Sequence, residues 1–64
     1  MDLSNYLKMD INILFSIINM KLRDEEGDLS ALCQRYQLDA ELLAQRLAEK
    51  GWNYHQDVNQ FKVG

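Results

Sequence analysis

Apolar positions recur along this chain first with a helical period and then, beyond Gly51, with the period of a strand. Ile11, Leu14, Phe15, Ile18 and Leu22 fall at i, i+3, i+4, i+7 and i+11, which predicts a helix over 11–24 with Asp10 as its cap. Ile13, Ile17 and Met20 lie nearly opposite that stripe, and Asn12, Ser16, Asn19 and Arg23 share a narrow polar strip between the two. A helix apolar on two flanks is expected to be covered on both.

The run Asp24-Glu25-Glu26-Gly27-Asp28 breaks the pattern, with Gly27 as the expected stop and Asp28 as the next cap. Leu29, Leu32, Cys33 and Tyr36 then repeat the helical spacing over a short segment, and Gln37-Leu38 makes a tight connection to a third capping aspartate, Asp39. A third helix is predicted over 40–50. Its inner face is Ala40, Leu43, Ala44, Leu47 and Ala48, Arg46 and Lys50 suit its C-terminal dipole, and Gly51 ends it.

Trp52 and Tyr54 alternate with Asn53 and His55, and Phe61 and Val63 with Gln60 and Lys62. A loop over 56–59 sets Tyr54 opposite Phe61 and Trp52 opposite Val63, so one face of a hairpin carries all four apolar side chains and is expected to dock on the helices. Residues 1–9, anchored by Leu3, Tyr6, Leu7 and Met9, read as an arm laid over the body. The fold class is therefore mainly α with a C-terminal β-hairpin, a single domain of an arm (1–9), three helices (10–51) and a hairpin (52–63).

Composition narrows the chemistry. In 64 residues, a chain buries too little surface to build a deep cleft, and it gains from a partner. Cys33 is the single cysteine and cannot form an internal disulfide, which fits a cytoplasmic, reducing compartment. Asp2 stands where an export signal wants positive charge, and the apolar tract from Ile11 to Met20 is too short to span a bilayer, so no membrane role is expected. Cys33 lies on the inner face of its helix, where a thiol is inert, and His55 points away from the aromatic face of the hairpin. No catalytic pair, cofactor loop or metal-ligand spacing follows from the sequence, and the acidic run at 24–28 lacks the alternating oxygens of a calcium loop.

The tract from Leu32 to Leu47 resembles a helix-turn-helix: Cys33 stands at the small-residue position, Leu38 and Leu43 at packing positions, and Asp39 caps the second helix. Gln37 departs from it, since glycine is usual there and a left-handed glutamine is strained. With the terminal hairpin, the order of parts is winged-helix-like. The whole chain also resembles a small bacterial family catalogued as a domain of unknown function. Its marks are Asn19-Met20-Lys21-Leu22-Arg23-Asp24, Leu32-Cys33, Tyr54 and Asn59-Gln60-Phe61-Lys62; members often carry an early proline where this chain has Ile11. That resemblance implies a family and no activity.

Two functions from different classes follow. A protein-interaction or regulatory module, homodimeric through Ile13, Ile17 and Met20 or bound to another protein, is the expected one; the alternative cover for that strip is the arm and hairpin of the same chain. Nucleic-acid binding through Gln45, Arg46, Lys50 and Lys62 is the other. It is disfavoured by the net charge of −3 and by Asp39, Glu41 and Glu49, which outnumber Arg46 and Lys50 on the third helix. Arg23 is expected to join Asn19, Asn59 and Gln60 in a polar cluster that clamps the hairpin, with a ligand contact as the other option.

Overall fold

Three aspartates begin three helices. In the computed structural model, which describes residues 3–64, α1 spans Ile11–Asp24, α2 Leu29–Tyr36 and α3 Ala40–Ala48. Asp10 accepts the backbone N–H groups of Asn12 and Ile13 at 2.9 and 3.1 Å. Asp28 accepts that of Ala31 at 3.1 Å, and Asp39 those of Glu41 and Leu42 at 3.0 and 3.1 Å. Each cap satisfies amides that a helix cannot pair internally and is worth about 1 kcal/mol.

The first helix ends where expected but by a different stop, and the third ends early. Glu25, in extended backbone, already ends α1, so Gly27 is not the stop; its φ of 101° instead turns the loop. At the end of α3 the N–H of Lys50 turns back to Leu47 at 3.1 Å and that of Gly51 to Ala48 at 2.9 Å, a tightened final turn that leaves Ala48 as the last α-helical residue rather than Lys50. Ala48 is exposed. Gln37 does take the left-handed conformation (φ 58°, ψ 45°), and the N–H of Leu38 reaches back to Cys33 at 2.8 Å while its side chain is buried.

Strands β1 (Trp52–His55) and β2 (Gln60–Val63) pair antiparallel in the expected register, Trp52 with Val63 and Tyr54 with Phe61. Phe61 is buried and Trp52 and Tyr54 pack partly into the core, but Val63 is 76% exposed. At that end of the hairpin it is the Trp52 ring that meets the helices, stacked on Phe15 with centroids 3.9 Å apart.

The core is built from Leu14, Ile18 and Leu22 of α1, Leu32 and Cys33 of α2, Leu38, Leu43 and Leu47 of α3 and its approach, and Phe61. Leu3 and Tyr6 complete it from the N-terminal side. The arm is a run of turns: Tyr6 N–H bonds Leu3 at 3.0 Å, and the Lys8 and Met9 N–H groups bond Asn5 at 2.9 and 3.1 Å. It is tied to the helices by the Asp39 N–H, which donates to the Tyr6 hydroxyl at 3.0 Å, and by Arg46, whose guanidinium donates to the Met9 carbonyl. Met1 and Asp2 of the expected arm lie outside the described residues.

One expectation about α1 fails. Ile13 is 55% exposed and Met20 38%, with only Ile17 between them packed partly against the core. Arm and hairpin do not shield this flank, because β2 is held on the opposite side of α1, at Asn19, and the arm is tied to the approach and body of α3. The fold closes around one flank of α1 and leaves the other open.

Candidate functional site

Helical phase puts Asn19 next to Phe15 on the hairpin side of α1, and its amide meets the backbone of Phe61 twice. The Nδ2 group donates to the Phe61 carbonyl at 2.9 Å, and the Phe61 N–H donates to Oδ1 at 2.8 Å. The side chain thus stands where a neighbouring strand would. Gln60 adds a return contact, its Nε2 donating to the Asn19 and Asn59 carbonyls at 3.0 and 2.9 Å.

Asn59 is the second half of this clamp. Its left-handed backbone (φ 55°) closes the hairpin loop, a conformation asparagine tolerates better than most residues. Its Nδ2 donates to the carbonyls of Leu22 and Gly27, both at 3.1 Å, and its Oδ1 accepts the Tyr54 hydroxyl. The Leu22 carbonyl is one that the end of α1 leaves unpaired, so the hairpin serves as a C-terminal cap for a helix far away in sequence. The Tyr54 oxygen in turn accepts the Leu29 N–H, at the start of α2, at 3.4 Å.

Asn19, Asn59 and Gln60 therefore meet as expected, and Arg23 does not join them. Its side chain is 70% exposed and its nearest ion-pair partner is Asp24 at 3.8 Å. Asn59 instead gives its amide hydrogens to main-chain carbonyls and accepts the Tyr54 hydroxyl, while the Arg23 guanidinium stays in solvent beside Asp24. Tyr54 is the member that sequence reasoning missed. Its alternation with Asn53 marked it as apolar core, and nothing local shows that its hydroxyl reaches past the core to a loop.

A second polar group, also missed, ties α1 to α2. Lys21 Nζ donates to the Tyr36 hydroxyl at 3.0 Å and lies 3.4 Å from Glu25, while the Tyr36 hydroxyl donates to Glu25 at 2.7 Å. Arg35 bonds the other Glu25 oxygen at 2.8 Å and the Glu26 carbonyl at 2.9 Å. The Tyr36 hydroxyl, ahead of Arg35 and Lys21, holds the Glu25 carboxyl below the ordinary glutamate range. The same hydroxyl, with Glu25, holds Lys21 above the ordinary lysine value. Lys21 to Glu25 is a visible i, i+4 pair; Tyr36 enters only because α2 folds back.

The basic candidates for nucleic acid do not converge. Gln45, Lys50 and Lys62 are exposed, but Arg46 is occupied by the Met9 carbonyl. Exposed around Gln45 at α3 are Glu41, Leu42 and Glu49, with Lys50 the next residue beyond Glu49. Cys33 is buried in α2, and burial, followed by the charge of Asp39, pushes its thiol above the usual range. His55 belongs to β1, partly buried with its Nε2 enclosed and unpaired.

Among the described residues there is no pocket and no group of three or more His, Cys, Asp or Glu side chains placed to hold a metal ion. No helix among them is long and apolar enough to cross a membrane. What the surface does present is the open flank of α1, Ile13 and Met20 about two turns apart with Ile17 between them.

A family model described as a domain of unknown function (DUF4250) matches residues 8–61, which takes in α1 through Phe61 and both halves of the hairpin clamp. No curated protein and no solved structure matches the chain.

Proposed function

Because the chain belongs to the DUF4250 family, whose description carries no activity, we propose a function from the geometry: a non-catalytic, cytoplasmic protein-interaction module, homodimeric through the open flank of α1. The observation that carries it is the exposure of Ile13 (55%) and Met20 (38%) on a helix whose other flank is sealed. Apolar side chains left on a rigid helix, flanked by the uncharged Asn12 and Ser16 and bounded at the C-terminal end by the exposed Arg23–Asp24 pair, favour a second apolar surface over water. A two-fold axis beside Ile17 is the simplest closed arrangement, since it lets one patch serve both copies. Cys33, the single cysteine, is buried in α2 with no second thiol in the chain to bridge, which fits a reducing compartment.

Light scattering across a dilution series tests the reading. Self-association is expected that Ile13→Glu weakens, lowering the size of the assembly without loss of helix content. A wild-type chain monomeric at every concentration overturns it.

The second reading, a small DNA-binding regulator, rests on α2 and α3 being joined through left-handed Gln37 with Gln45 exposed on α3. Against it stands Arg46, tied to the arm. Binding to duplex DNA that weakens steeply with salt would favour this reading; no binding at low salt removes it.

A further inference from the structure

The two edges of the hairpin are treated differently. On β2, Phe61 turns both its N–H and its carbonyl outward to the Asn19 amide, so the pair Tyr54–Phe61 exchanges no ladder hydrogen bonds. Antiparallel pairs alternate. The ladder bonds therefore belong to Asn53–Lys62 and His55–Gln60, and the N–H and carbonyl groups of Trp52 and Tyr54 aim away from β2 along the far edge of β1. Among the described residues no hydrogen bond from outside the ladder reaches the main chain of Trp52 or Tyr54.

Natural sheets guard such edges by short length, lysine, proline, bulges or a covering segment, and of these β1 has the short length, four residues. Here β2 has the Asn19 amide, while β1 reads Trp52-Asn53-Tyr54-His55, without a proline, a glycine or a lysine. Its outward groups are centred on Asn53, whose side chain is exposed. That arrangement is self-complementary: turned about a two-fold axis through Asn53, Trp52 of one copy faces Tyr54 of the other, and each such pair exchanges two hydrogen bonds. The strand carries neither acid nor Lys/Arg, so two copies meet without like charges opposite each other.

We propose that the bare edge of β1 pairs antiparallel with the same edge of a second copy, making one continuous sheet across both hairpins. Trp52 and Tyr54 of the two copies alternate on the face that already packs on the helices, and the two Asn53 side chains meet on the outer face. This contact is independent of the α1 flank. With both engaged the assembly is larger than a dimer, because neither two-fold closes the other.

The Ile13→Glu chain isolates this contact. It is expected to remain a dimer by light scattering at high concentration, and adding Asn53→Lys, which sets like charges directly opposite across the axis, is expected to give a monomer of unchanged circular dichroism. In a pair without mutual hydrogen bonds the two Cα atoms of residue 53 lie about 4.5 Å apart, within disulfide reach. Asn53→Cys should then cross-link about tenfold faster than Asp57→Cys in the exposed loop, by the gain in effective concentration. The Trp52 and Tyr54 amides should become protected from hydrogen exchange as concentration rises. An Ile13→Glu chain that is monomeric throughout, or an Asn53→Cys chain that cross-links no faster than the Asp57→Cys control, overturns the proposal. If instead Asn53→Lys alone dissociates the wild-type assembly while Ile13→Glu changes nothing, the β1 contact stands and the α1 reading falls.

Discussion

The amide of Asn19 on α1 makes both hydrogen bonds that the outward backbone of Phe61 on β2 can make, at 2.9 and 2.8 Å across 42 positions of sequence. One side chain thereby replaces a strand. Replacing Asn19 by Ala leaves a partly buried N–H and carbonyl without partners, at a cost of about 3 kcal/mol. Asn19→Asp keeps the acceptor but aims a carboxylate at the Phe61 carbonyl, and should cost at least as much near neutral pH. Urea unfolding checks both; an alanine variant within about 0.5 kcal/mol of wild type refutes the clamp.

Gly27 and Gln37 share a left-handed backbone and predict opposite outcomes. A Cβ at Gly27 would stand 2.6 Å from the Cβ of Ala31, on top of a φ of 101°, so Gly27→Ala should cost about 2 kcal/mol or more. Gln37 already bears the cost of φ 58°, and Gln37→Gly should stabilise by about 0.5–1 kcal/mol. Thermal melts of the two variants should move in opposite directions.

Acid should act through Glu25. Tyr36, Arg35 and Lys21 lower its folded pKa below the unfolded value of 4.5, so the stabilisation is complete above that value and disappears as the pH falls through the lower folded one. Lys21 runs the other way, its contribution present below 10.5 and lost as the pH rises through its raised folded value. Glu25→Gln should flatten the acid limb of a stability-against-pH curve and leave a slope at the alkaline end. An acid limb identical to wild type would show that other carboxylates govern it.

Arg23 is predicted to matter little. Exposed and paired only loosely with Asp24, it should tolerate Arg23→Ala within about 0.5 kcal/mol. A clear drop in melting temperature would put it back in the clamp.

Comparing Arg23 with Asn19 shows where sequence reasoning stops. Both lie on one polar strip of α1, four residues apart, and periodicity cannot tell which of them meets the hairpin. The answer depends on where β2 crosses the helix, which sets Phe61 beside Asn19 and leaves Arg23 in solvent. Tyr54 and Tyr36 make the same point: spacing marked each as an apolar packing residue, yet their hydroxyls organise the two polar clusters from the far side of the core.

The sequence by itself determined the three helices, their aspartate caps, the left-handed Gln37 and the register of the hairpin. These are local: periodicity, short-range carboxylate-to-amide bonds and strand alternation involve residues within a few positions of one another. Tertiary structure alone decided which flank of α1 is sealed, that Val63 stays in water while Trp52 stacks on Phe15, and that Asn19 rather than Arg23 holds β2. Those outcomes turn on the distance and angle between elements far apart in the chain, which side-chain packing sets and no local pattern encodes.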